Sequence, residues 1–348
     1  MGKKLAVLFL VALAAALAGA GLFAQDAGKD VGKIIRLDPA LDALISPSAH
    51  IGKLKGDFGF LEGPVWVHKT KPGYLLFSDI PANVIDKWSP DGKVSVFLSH
   101  SGYHSDNPDD AGYIINNGFK NVTLFGSNAV TFDKEGRITF VQHGDHGVIR
   151  LEKNGKRTVL CDSYEGKRLN SPNDLVYKSD GALYFTDPPF GLRELDKDPK
   201  KQLSFNGVYL LKDGKLTAII KDLKGPNGIA FSPDEKYLYV DDSFAKTYMR
   251  YEVQPDDTVA NGKVFVDMSS SKEDGVPDGM KIDKEGNIYG AAPGGVWVIT
   301  PEGKHIGTIK PPEDPANMAW GDADGKTLYF TARTGLYRLR TKATGIRP

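Results

Sequence analysis

Apolar and polar positions alternate along most of the chain in short runs, and the runs repeat with a common layout. "NAVTFDKEGRITF" from Asn128, "NDLVYKSDGALYF" from Asn173, "NGIAFSPDEKYLYV" from Asn227, "DGMKIDKEGNIYG" from Asp278 and "NMAWGDADGKTLYF" from Asn317 each open on Asn or Asp. A turn pair follows seven and eight residues later: Glu135-Gly136, Asp180-Gly181, Asp234-Glu235, Glu285-Gly286 and Asp324-Gly325. An aromatic-rich apolar run then resumes. Alternation with period two, bounded by such pairs, is the pattern of antiparallel strands. A sixth copy, "EGPVWVHKTKPGYLLFSD" from Glu62, has a longer turn through Lys71-Pro72-Gly73.

Most units continue into a second hairpin, with turns at Asp91-Gly92, Asn154-Gly155, Asp213-Gly214 and Glu302-Gly303. Pairs of this kind suit two-residue hairpins, whose central residues need positive φ. Two hairpins make a four-stranded blade, and repeats of ~40–50 residues have the propeller period. The pattern therefore predicts an all-β fold, a six-bladed β-propeller of four-stranded antiparallel blades. "HIGKLKGDFGF" is expected to pair with "GLYRLRTKATG" and close the ring.

The first strand of a propeller blade lies nearest the axis, so the opening residues Glu62, Asn128, Asn173, Asn227, Asp278 and Asn317 are expected to form a ring at the channel mouth. All six offer oxygen, and none offers sulfur or imidazole. Two carboxylates among amides suit a hard divalent cation such as Ca²⁺. Capping of strand ends by Asn and Asp is the plainer account of any one unit; the common phase of all six favours the ring.

Composition narrows the rest. The 44 basic and 44 acidic side chains balance, so neither nucleic acid nor an anionic surface is indicated as a partner. The lone Cys161 cannot form an internal disulfide and reads as strand packing. Lys3 and Lys4 precede "LAVLFLVALAAALAGAGLFA", which reads as a signal peptide over residues 1–24 and implies a periplasmic or secreted protein, with no membrane attachment after cleavage. An uncleaved anchor is the alternative. Residues 25–45 read as a polar N-terminal segment, and 46–348 as the propeller catalytic domain.

"EGPVW", "RLNSPNDLV", "GPNGIAFSPDEKYLYV" and "PDGMKID" together resemble the SMP-30/gluconolactonase/LRE-like family, six-bladed calcium-dependent lactonases that include regucalcin. "FVQHGDHGVIRL" and "ANMAWGDADGKTLYFTA" are more similar to its bacterial gluconolactonase branch. The resemblance implies Glu62, Asn173, Asn227 and Asp278 as calcium ligands, with Mg²⁺, Mn²⁺ or another divalent ion as substitutes. It also implies Asp278 as the base in hydrolysis of a sugar lactone such as glucono-1,5-lactone. The alternatives are a phosphotriester or other lactone hydrolase on the same metal, and a non-catalytic calcium-stabilised propeller.

No Gly-x-Ser-x-Gly or His-Glu-x-x-His motif supports a serine or zinc hydrolase. Asn128, His143, Arg168, Asn170 and Asn317 are the candidate substrate-binding residues. Asp187, closing "LYFTDP", could buttress the site or start the turn at Pro188-Pro189, and the turn is the favoured reading. The insertion after it, through Leu192 to Ser204, is a candidate specificity lid.

Overall fold

A computed structural model describes residues 30–348, apart from 106, 109 and 110. The signal peptide expected over residues 1–24 lies outside the described residues. Among those described, no helix is long and apolar enough to cross a membrane.

The turn pairs do reverse the chain, with a different geometry from the one their composition suggests. Gly92, Gly136, Gly155, Gly181, Gly286 and Gly303 have φ between 72° and 97°, while the residue before each does not. In the first of these, Gly92 N donates to Ser89 O and Ser89 N to Lys93 O. These are longer loops in which a glycine in the left-handed region follows a type I turn. Both residues have positive φ at Asp213-Gly214.

Among the described residues, five four-stranded antiparallel sheets and one with a fifth strand form six blades. Blade 1 comprises Leu61–Val67, Tyr74–Asp79, Val84–Trp88 and Val94–Ser99, and blade 2 comprises Ser127–Phe132, Ile138–Gln142, Val148–Leu151 and Arg157–Cys161. Blade 3 contains Leu175–Tyr177, Leu183–Asp187, Asn206–Lys212 and Lys215–Leu223; blade 4 contains Pro226–Phe231, Tyr237–Asp242, Thr247–Val253 and Val259–Asp267. Blade 5 is Met280–Ile282, Ile288–Ala292, Gly295–Ile299 and His305–Lys310. Blade 6 joins Pro315–Gly321, Thr327–Ala332 and Gly335–Arg340 to Ile51–Lys55, so the ring closes through the pairing expected from sequence.

The N-terminal segment is more than a polar lead-in. Lys33–Arg36 adds a fifth strand to blade 5, pairing with His305–Lys310. Leu41 and Ile45 are fully buried in a core shared with blades 5 and 6. Trp320 lies in that core, edge-on to Tyr289 at 4.9 Å and against Gly345 of the C-terminal segment. It packs across the last seam of the ring. Trp320→Ala is expected to lower unfolding free energy by about 3–5 kcal/mol, the usual cost of a large core cavity. Chemical denaturation checks this, and parental stability in the variant would disprove it.

Candidate active site

The six opening residues meet at the axis. Asn128 Nδ2 donates to Asn173 Oδ1 at 2.7 Å, and Asn173 Nδ2 donates onward to Asn227 Oδ1. Asn227 Nδ2 in turn reaches Ser243 Oγ at 3.1 Å. Glu62, Asn128, Asn173, Asn227 and Asn317 are buried, whereas Asp278 is partly exposed.

Glycine follows three of these residues, at Gly63, Gly228 and Gly279, because adjacent first strands nearly touch at the axis. A Cβ on Gly63 would lie 2.3 Å from Asn128 O, and one on Gly228 would lie 2.4 Å from Asp278 O. On Gly279 it would meet Asn317 Cγ at 2.0 Å. Those approaches are what let side chains from separate blades share one hub.

The hub is more acidic than the opening residues alone suggest. Asp174 and Asp241 join Glu62 and Asp278 as buried neighbours, with Lys281 Nζ 3.7 Å from Asp174 Oδ2 and 3.2 Å from Asn317 Oδ1. Burial, then the Asp174 charge, pushes the Glu62 carboxyl up to about 7 against the Gly63 N–H bond. Burial and the Glu62 and Asp174 charges raise Asp278 well above the ordinary carboxylate range. Asp241 is raised well above it too, by burial and then by Asp278 and Asp174; its Oδ1 has no hydrogen-bond partner. Asp174 is raised by burial against the opposing Lys281 charge. Like charges in a desolvated site resist joint ionisation, and each carboxyl is pushed above its ordinary range.

The family model described as SMP-30/Gluconolactonase/LRE-like region matches residues 60–334. The chain belongs to the SMP-30/gluconolactonase/LRE-like family. It is 38% identical over 328 residues to a gluconolactonase of Zymomonas mobilis subsp. mobilis, covering 91% of this chain and 88% of that protein. It is 30% identical to a pentonolactonase of Haloferax volcanii, across 79% of this chain and 81% of that one. A solved gluconolactonase structure from Xanthomonas campestris superposes with a TM-score of 0.74 at 28% identity, covering 88% and 94% of the two chains.

For this member of the SMP-30/gluconolactonase/LRE-like family, the expected calcium-dependent mechanism needs correcting, and the substitution of Mg²⁺ or Mn²⁺ falls with it. Among the described residues no group of three or more His, Cys, Asp or Glu side chains is placed to hold a metal ion. The amides explain part of this. Asn173 Oδ1 and Asn227 Oδ1, two oxygens of the expected ligand set, accept N–H bonds from the neighbouring amides, and Glu62 Oε2 accepts Gly63 N at 2.8 Å. The donor set does not fit the cation.

The candidate substrate residues divide by position. His143 Nε2 lies 3.0 Å from Asn173 Oδ1 and 3.2 Å from Asn128 Nδ2, which places the ring in the hub. Burial lowers its pKa to about 4, so it is neutral at pH 7. Asn317 sits at the inner floor, between Lys281 and Asp174. Arg168 lines a recess of about 340 Å³ with Tyr103, His104, His146 and Gly191, and its Nη2 donates to Lys200 O at 3.1 Å. Asn170 is buried behind the hub, where Nδ2 donates to Asp187 O, Phe205 O and Asn206 Oδ1.

Of the two parts open to Asp187, the structure gives it the buttress and not the favoured turn. It is fully buried and accepts Asn170 N at 2.9 Å and Ser171 N at 2.7 Å. The insertion beyond it folds back, with Gly191 N donating to Ser171 Oγ at 2.7 Å. It also joins the insertion between blades 1 and 2, where Gly112 N donates to Gly191 O at 2.9 Å. Sequence reasoning missed Asp174, Asp241 and Lys281. The doubled Asp241-Asp242 at a strand end and the Asp directly after Asn173 were the available signals.

Proposed function

We propose that this chain opens small lactones to hydroxy acids at the hub, with Asp278 as general base. The observation that carries the reading is an acidic cluster in which Asp278, the one partly exposed residue, sits beside the buried Glu62, Asp174 and Asp241. A base works best when its pKa approaches the working pH, and desolvation with like charge moves a carboxyl that way. A water oxygen attacks the lactone carbonyl carbon while its proton passes to Asp278. The tetrahedral intermediate then breaks its bond to the ring oxygen, which takes that proton back and leaves as an alcohol. The new carboxylic acid ionises, and repulsion from the acidic hub favours its release.

The Zymomonas and Haloferax relatives are named for sugar lactones, which supports a polyhydroxylated ring as substrate. Asn128 Oδ1, buried and without a hydrogen-bond partner, is an acceptor available to such a ring's hydroxyl. We assign substrate contacts to Asn128 and His143 at the hub, to Asn317 at its floor and to Arg168 in the adjoining recess. Asn170 acts from behind, through the backbone it holds.

Acid release from glucono-1,5-lactone, followed in a pH-stat and corrected for spontaneous hydrolysis, tests the proposal. Turnover is expected; its absence across a panel of sugar lactones would overturn it. The pH profile is a second check. The base must be ionised, so kcat/KM should fall tenfold per pH unit below the raised Asp278 pKa, giving an acid limb well above the ordinary value of 3.8. A profile flat down to about pH 4, where unperturbed carboxylates titrate, would remove Asp278 from the role.

A further inference from the structure

Three blades end their second strand on a buried aspartate that holds the main chain just before the hub. Asp79 accepts Gly59 N at 3.0 Å and Phe60 N at 3.2 Å. Asp187 accepts Asn170 N and Ser171 N at 2.9 and 2.7 Å, and Asp242 accepts Lys224 N and Gly225 N at 2.7 and 3.0 Å. The offset is the same each time. The captured N–H groups belong to the residues three and two places before Glu62, Asn173 and Asn227. The three aspartates are at most 5% exposed, so water competes little for these bonds.

The other three blades lack the device. Their second strands end on Gln142, Ala292 and Ala332, and the hub residues they serve are Asn128, Asp278 and Asn317. A uniform fold requirement would have put a carboxylate in every blade. Three in constant register single out Glu62, Asn173 and Asn227 as hub positions whose placement is fixed separately from the sheet. A carboxylate suits the task because each captured N–H needs an acceptor, and two oxygens on one rigid group set both at once.

We propose that Asp79, Asp187 and Asp242 are positioning residues for lactone hydrolysis, each clamping the turn that presents one hub side chain to the substrate. The proposal rests on the hub being the reaction site. It predicts that loss of a clamp lowers turnover in protein that remains folded. In Asp187→Asn, one captured N–H faces an amide NH₂ instead of an oxygen, so the Asn170–Asn173 turn loses one bond and gains a repulsion. Asn173 then leaves its place between Asn128 and Asn227.

The test compares Asp187→Asn, Asp79→Asn and Asp242→Asn with Asp283→Asn. Asp283 is equally buried and also holds two main-chain N–H groups, of Glu285 and Asn287, but in a hairpin turn within blade 5. Kinetics with glucono-1,5-lactone are normalised to folded enzyme by circular dichroism. The clamp variants should lose about 10- to 100-fold in kcat with a smaller change in KM, as expected when reacting groups are displaced by a fraction of an ångström. Asp283→Asn should melt at a lower temperature with kcat unchanged. Parental kcat in all three folded clamp variants, or failure of all three to fold, would reduce the aspartates to a stabilising role and overturn the proposal. A crystal structure of Asp187→Asn separates this from the assignment of the reaction. Asn173 in its parental position refutes the clamp even if lactone is hydrolysed, and a displaced Asn173 supports it even if the parent hydrolyses none.

Discussion

Asp278→Asn should reduce kcat by about 10²–10⁴-fold, the usual contribution of a general base, and leave the propeller folded. The substitution keeps size and shape and removes the carboxyl of the one partly exposed acidic residue of the hub. It should also stabilise the protein near neutral pH. Burial and the charges of Glu62 and Asp174 hold the Asp278 pKa well above its ordinary 3.8, so the fold favours the protonated form. The stability linked to that proton is fully present below the unfolded pKa and is lost as pH rises through the folded one. At neutral pH the parent therefore bears the strain of the acidic cluster, and a neutral amide relieves it. The melting temperature of the variant should exceed the parent's at pH 7, with the gap closing as the solution is acidified. Such a trade of stability for activity is common at active sites. Parental turnover in Asp278→Asn, or a melting temperature below the parent's at pH 7, would contradict this account.

Gly228→Ala should lower kcat/KM by about 10²-fold without removing any ionisable group. The added methyl would sit 2.4 Å from Asp278 O, 2.5 Å from Asp241 Oδ2 and 2.9 Å from Gly279 Cα. Two of the three are backbone atoms, which cannot rotate away as a flexible side chain does. The segment carrying Asp278 must move outward, taking the base with it, at a cost of about 1–3 kcal/mol for the forced repacking. The expected signature is a modest fall in melting temperature with a much larger fall in activity. Wild-type kinetics in this variant would show that the approach of blades 4 and 5 at the axis does not govern the chemistry.

The clamps bear on how the sequence is read. "LLFSD", "LYFTD" and "LYVDD" end on Asp79, Asp187 and Asp242 in matching phase, and that phase was visible without coordinates. Its meaning was not settled, because Asp before Pro188 is explained by a turn as well as by a buttress of the site. Only the folded chain brings Asn170 N and Ser171 N onto the carboxylate. The amides gave the opposite lesson. Their convergence was legible from the phase of the six units, yet the donors expected to face a cation are turned onto one another.

The blades, their order and the closing strand were determined by sequence alone. Alternation and turn chemistry act between residues close along the chain, and a repeated local pattern multiplies its own signal. The tertiary structure decided which way each amide points, that Asp174 and Asp241 enter the acidic cluster, and that Lys281 reaches its floor. Those outcomes depend on groups from separate blades competing for hydrogen bonds in a space with little water. That space comes into being only when the ring closes.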